Sequence, residues 1–150
     1  MYNYEMDLIK AVIVVIRDKM GNYFIHQRNN NKKTFPNLFG LGAGGHIEEK
    51  ETKEEAAKRE LFEETGLKTD LEYLFHQTYK GKDFTNEIDV FETKTDLEKL
   101  ETGNGEWQWC GWMGKNEVEK LLEENKFCPD TAEVYKTYLD SVASWPQAAE

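Results

Sequence analysis

The sequence predicts an α/β (α+β) fold, a mixed β-sheet packed with a small number of helices, and three observations lead there. Leu8 to Ile16 is dense in β-branched and apolar residues and is followed by a turn and a second strand-like run. Lys53 to Thr65 consists mainly of good helix formers with recognisable start and stop residues. Beyond it aromatic and β-branched runs return, so strands flank the strongest helix while helices are too few for repeated βαβ units.

In chain order, the strand over Leu8 to Ile16 turns through Lys19-Met20-Gly21-Asn22 into Tyr23 to Arg28, which makes a hairpin. Asn29-Asn30-Asn31-Lys32-Lys33 is polar enough to be a loop. Phe35-Pro36-Asn37-Leu38-Phe39 leads into Gly40-Leu41-Gly42-Ala43-Gly44-Gly45, where four glycines in six residues permit a close approach that side chains would block. Thr52 and Glu55 fit a capping box ahead of the helix, and Gly66 stands where a helix ends in a left-handed residue. Leu71 to Tyr79 and Glu87 to Thr93 read as strands around a Lys80-Gly81-Lys82-Asp83 turn, and Trp107 to Met113 reads as an aromatic strand. Asn116 to Glu124 carries Val118, Leu121 and Leu122 at helical spacing, and Asp130 can cap a last helix with Val134, Tyr135, Tyr138 and Leu139 inward.

The chain's 150 residues suffice for a single core, so one domain over residues 1–150 is expected. Aromatics at 13% are too many for a disordered chain and charged residues at 32% too many for a membrane protein. The longest apolar run, Ala11 to Ile16, falls far short of the roughly 20 residues of a spanning helix. Met1 to Glu5 has neither a basic nor an apolar leader pattern, from which a cytoplasmic location is expected. Cys110 and Cys128 form no Cys-x-x-Cys pair, which gives neither a zinc motif nor a disulfide framework, and both are expected to be reduced bystanders. A net charge of −10 disfavours duplex nucleic acid and anionic membranes as partners. It leaves two readings of the acids, a solvated surface or carboxylates gathered around cations.

Position on the helix bears on that choice. With Ala56 at zero on a wheel, Glu63, Glu60 and Glu64 fall at about −20°, 40° and 80°, beside Ala57 and Leu61 at about 100° and 140°. Three acids therefore share the small, apolar face that should pack inward, whereas Lys58 and Glu55 point away. Crowded or buried carboxylates need a compensating cation or must take up protons. Oxygen ligands without Cys or His at ligand spacing favour Mg²⁺ or Mn²⁺ over zinc, and Mg²⁺ bridges to substrate phosphates. The plain alternative is an ordinary helix surface, its acids paired with Arg59 or Lys58.

Gly45, five residues, Glu51, seven residues, then Arg59-Glu60-Leu61-Phe62-Glu63-Glu64-Thr65-Gly66-Leu67 resembles a complete Nudix box. All nine specified positions match over 23 residues, a far more specific signal than a short glycine motif. The resemblance implies the Nudix fold, an α/β/α sandwich with a mixed β-sheet between helices. It implies a pyrophosphohydrolase of the MutT-like kind, acting with Mg²⁺ or Mn²⁺ on a nucleoside diphosphate linked to a moiety X. By the same resemblance Glu60, Glu63 and Glu64 are metal ligands, the Gly44 carbonyl adds a ligand, and Glu51 pairs with Arg59 to brace the loop against the helix. Glu64 is then both a ligand and part of the catalytic set. A small-molecule nucleotide or diphosphate is the implied partner, and since many relatives dimerise a homodimer is an expectation too.

The remaining candidates are read from position. Arg28, Lys32 and Lys33 concentrate positive charge near the glycine segment and with Gly45 are candidates to meet substrate phosphates, loop solvation being the plain alternative. His26, His46 and His76 are scattered and read as structural, with His46 near enough to Gly45 for a supporting role. Trp107, Trp109 and Trp112 read as packing residues first and as a stacking surface second. Family enzymes often use a carboxylate ahead of an aromatic strand as base or extra ligand. Glu106 fits that place, preceded by Asn104-Gly105, with Glu87 and Glu101 as competitors. An isopentenyl-diphosphate isomerase would share the fold but need a cysteine between the hairpin and the glycine segment, where there is none. A ligand-sensing Nudix domain without catalysis would be expected to lose box glutamates, and all are present.

Overall fold

A computed structural model of the chain describes residues 7–102 and 105–143, so the leader reading at Met1 to Glu5 and the residue Asn104 lie outside it. Seven strands and three helices follow in the order β1 (Asp7–Asp18), β2 (Tyr23–Arg28), β3 (Phe39–Leu41), β4 (Ala43–His46), α1 (Lys53–Thr65), β5 (Glu72–Lys80), β6 (Phe84–Thr95), β7 (Trp107–Met113), α2 (Lys115–Glu123) and α3 (Pro129–Ala143). Among the described residues no helix is long and apolar enough to cross a membrane.

The sheet is mixed. β1 runs parallel to β6 from Asp7↔Phe84 to Asp18↔Thr95, while β5 returns antiparallel on the far side of β6. The expected hairpin closes only at Arg17↔Tyr23, after which β1 pairs with β4 from Val14↔Ala43 to Ala11↔His46 and β2 pairs with β3 and β7. The sheet therefore forks, one prong carrying β1 and β4 and the other β2, β3 and β7. This corrects the simple hairpin: β1 gives its pairing edges to partners distant in sequence.

β1 explains its own composition. Val12, Val14 and Ile16 point to one face, packing with Ala56, Ala57 and Leu61 of α1, and Ile13 and Val15 point to the other, packing with Tyr135 and Tyr138 of α3. A strand buried on both faces reads as a continuous apolar run, because neither face has to meet water. The result is a mixed sheet between helices, an α+β architecture of α/β/α layers.

The glycine-rich segment is not a loose loop. It forms β3 and β4 with a corner at Gly42, whose φ of 60° favours glycine. A Cβ there would stand 1.8 Å from the Val14 carbonyl oxygen, so the close approach expected of this segment is to β1. At the other end of the chain Asp130 is not the cap of the last helix but lies in its first turn, because Pro129, with its preset φ, already serves as the first helical residue.

Candidate active site

Helix α1 is held at both ends as its sequence demands. The Thr52 side chain accepts from the Glu55 N–H, Glu55 reciprocates to the Thr52 N–H, and Gly66 closes the helix at φ 76°. Ala56 and Ala57, both fully buried, let the helix axis come close to the sheet. That proximity carries Glu64, two turns on, into the interior with 2% of its surface exposed. Its Oε2 accepts the Gly44 N–H at 3.0 Å. Glu60 lies against Gly45, where a Cβ would come within 2.4 Å of Glu60 Oε1, so the glycine leaves room for the carboxyl group.

Arg59 ties the loop to this helix. Its Nε and Nη2 donate to Glu51 Oε2 and Oε1 at 2.7 and 2.9 Å, a bidentate pair. Nη2 also reaches the His46 carbonyl at 3.1 Å, and Nη1 donates to Glu60 Oε1 at 2.8 Å and to Glu63 Oε2 at 3.4 Å. The Arg59 hydrogen bonds hold the Glu51 carboxyl down to about 2. Burial acts the other way on the acids of the packing face. It raises Glu60 against the opposing effect of Arg59, and it pushes Glu64 up to about 9, with Glu60 and Glu106 adding repulsion that the Gly44 N–H only partly offsets.

The three box acids therefore divide, which corrects the helical wheel. Glu60 and Glu64 face inward, while Glu63 is 54% exposed and turned to Arg59. A wheel fixes the direction of Cβ but not of a flexible three-bond side chain, and the guanidinium draws Glu63 outward. Among the described residues no three His, Cys, Asp or Glu side chains already converge closely enough to hold an ion. The donor chemistry nevertheless fits a hard cation: two adjacent, desolvated carboxyls, of which Glu64 forms no ion pair with any described Lys or Arg.

Glu64 and the Gly44–Gly45 backbone open on a cleft of 310 Å³ whose walls come from both prongs of the forked sheet. Arg28, Lys32, His46, Glu106 and Trp107 line it, whereas Lys33 does not. Arg28 Nε is engaged with the Thr34 carbonyl at 3.0 Å, and Lys32 Nζ stands 4.0 Å from Glu106 Oε1. Glu106 is close enough to Glu60 and Glu64 to raise both. Its competitors lie elsewhere: Glu87 is bound by His76 and Thr78 on the β5–β6 face, and Glu101 packs by Gly66. Trp112 donates its Nε1 to the Glu98 carbonyl, and Trp109 meets Phe39 edge to face.

His26, Asn86, Cys128 and Asp130 are among the residues of the cleft wall that sequence reasoning did not place there. His26 stacks on Trp107 with ring centres 4.6 Å apart and donates Nδ1–H to the Gly42 carbonyl at 2.7 Å, and burial holds it down to about 4. It is a neutral wall, in line with its structural reading. Both cysteines are free as expected, but Cys128 borders the cleft, its thiol pushed up to about 12 by burial. Apart from the helix-start signal at Asp130, no local pattern announces these positions, since strand pairing and helix docking bring them together.

A family model described as NUDIX domain matches residues 7–138. An uncharacterised Nudix hydrolase of Streptomyces coelicolor is 31% identical over 129 residues, covering 84% of this chain and 71% of that protein. Among solved structures, the MutT protein of Methanosarcina mazei matches with a TM-score of 0.77 at 20% identity, covering 95% of this chain and all of that one. The NUDIX domain of Shewanella oneidensis NrtR, complexed with ADP ribose, matches with a TM-score of 0.73 at 17% identity over 90% of this chain and 88% of that one. The two structures share the fold of this chain.

Proposed function

This chain belongs to the Nudix hydrolase family, and on that premise we propose that it is a divalent-metal-dependent hydrolase, cleaving the pyrophosphate bond of a nucleoside diphosphate linked to a moiety X. The observation that carries this reading is Glu64, buried beside Glu60 at the head of an open cleft with no Lys or Arg partner among the described residues. Glu60 and Glu64 would hold Mg²⁺ or Mn²⁺, with Glu63 joining once it leaves Arg59 and the Gly44 carbonyl adding a donor. Such a cation supplies neutralisation of the diphosphate and activation of a water. The ADP ribose in the Shewanella structure supports a nucleotide-containing ligand of this class.

The chain's own residues divide the remaining tasks. Arg59 and Glu51 keep the β4–α1 loop fixed on the helix, so that Gly44 and Gly45 stay against the two carboxyls. Lys32 and Arg28 offer positive charge to phosphate oxygens, and Glu106 Oε1 accepts the proton of the attacking water. Cys128, held protonated, takes no nucleophilic part.

A panel of nucleoside diphosphate derivatives incubated with Mg²⁺ or Mn²⁺, with phosphate-containing products measured, tests the reading. Glu64→Gln is expected to lower kcat by a factor on the order of 10³ while the fold is retained. Glu106→Gln is expected to lower kcat more than KM and to leave calorimetric Mn²⁺ binding nearly intact. Full turnover in EDTA, or normal turnover by Glu64→Gln, sinks the metal assignment. A stronger loss from Glu87→Gln than from Glu106→Gln withdraws the base assignment.

A further inference from the structure

The cleft has a second polar place besides the Glu64 carboxyl of α1. Asn86 is in register with Ile9 and Gly44 with Ile13, so the two positions are four residues, roughly 13 Å, apart along β1. Asn86 keeps only 7% of its surface exposed, and its Nδ2 donates to Asp130 Oδ2 at 3.2 Å. That bond fixes the amide orientation, because the opposite one would set the amide oxygen against a carboxylate. Asn86 Oδ1 is buried and accepts from nothing among the described residues. Asp130 adds acceptors beside it, its Oδ1 taking the Thr131 N–H at 2.8 Å and the Thr131 hydroxyl at 3.4 Å.

The walls around this pair are apolar and in part flat. Ile9, Phe35 and Phe84 line the same cleft, and the two phenyl rings lie 6.1 Å apart. Phe35 is held at φ 49°, a left-handed conformation unfavourable for a bulky residue, and such conformations cluster where a ligand is clamped. A buried acceptor without a donor costs free energy that a bound donor recovers. A hydroxyl-rich sugar would set most of its polar groups against these phenyl and aliphatic walls, whereas a planar base presents apolar faces and polar edges only.

We propose that this end of the cleft is a subsite for a nucleobase bearing an exocyclic amino group, one N–H donating to Asn86 Oδ1 and the other to the Asp130 carboxylate. The assignment rests on the reading of the cleft as a nucleoside diphosphate site. Replacing the amino group by a carbonyl sets oxygen against oxygen and leaves Asn86 Oδ1 unpaired.

Calorimetric affinities of the purified protein for AMP against IMP, and for CMP against UMP, test it. The amino member is expected to bind at least about tenfold tighter in one or both pairs. Asn86→Leu removes the acceptor, and Asp130→Asn supplies an amide that can donate to Asn86, so each is expected to bring a preferred pair within about threefold. Asp130→Asn, a near-isosteric change, carries the test if Asn86→Leu fails to fold. Equal affinities in both pairs, no binding of any of the four, or an undiminished preference in Asp130→Asn overturns the subsite. Turnover of the parent diphosphates is scored apart: turnover without base preference overturns the subsite alone, and base preference without turnover overturns the hydrolase reading alone.

Discussion

At the residue scale the site is organised by Arg59, whose fork engages Glu51 with two donors and still reaches Glu60, Glu63 and the His46 carbonyl. A lysine keeps the charge but cannot make the bidentate pair. Arg59→Lys is therefore expected to lower kcat on the order of 10–100-fold and to lower Tm, by loosening the loop on the helix. Unchanged kcat and Tm would remove Arg59 from the scheme. The histidines give an independent check. His26, held to about 4 by burial, stays neutral in the fold while the unfolded chain takes up a proton near 6.5. Stability is thus lost as pH falls from about 6.5 towards 4, and His26→Gln should flatten that slope by up to about one proton. His76 behaves oppositely: hydrogen bonds to Asp89 and Glu87 raise it, so its contribution is fully present below its ordinary value and fades as pH rises through the shifted one. An NMR titration showing His26 titrating above His76 would contradict both assignments.

At the scale of elements the decisive piece is the β3–β4 corner with the helix that follows it. Gly42 takes a positive φ with no room for a side chain, so Gly42→Ala combines backbone strain with collision against β1. A loss of about 2–4 kcal/mol is expected in denaturant unfolding. Thr52→Ala removes only one half of the capping box and should cost about 1 kcal/mol. The reverse ranking would mean that α1 is anchored by its cap rather than by the corner. Helix α1 was legible because its signals are local: a cap, good formers and a terminal glycine within fifteen residues. The short strands β3 and β4 were not, because their three glycines carry no strand propensity and only pairing with β1 and β2 makes them strands.

At the scale of the whole molecule, one sheet separates two cores. Leu61 packs on the α1 side and Ile88 on the α3 side, each with about 1% exposure or less. Leu61→Ala and Ile88→Ala should each cost about 2–5 kcal/mol. Because the two residues belong to different clusters, the double variant should lose the sum to within about 0.5 kcal/mol. A larger coupling in urea unfolding would show that the sheet transmits strain between its faces. The fork in this sheet makes the cleft, since β1 closes on β2 only at Arg17↔Tyr23 and leaves its other end to β4.

The sequence by itself determined what depends on near neighbours. The spacing of Glu51, Arg59, Glu60, Glu63 and Glu64 puts a guanidinium and four carboxyls on one capped helix and the loop before it, and the apolar run of β1 announces a strand buried on both faces. Tertiary structure alone decided which carboxyls turn inward and what faces them. Glu63 leaves the packing face because Arg59 holds it, and Glu64 is desolvated because α1 lies against β4. His26, Asn86, Cys128 and Asp130 line one cleft although their positions span more than a hundred residues. Strand register and helix docking set such meetings, through packing contacts between segments remote in the chain, and a local pattern carries no record of them.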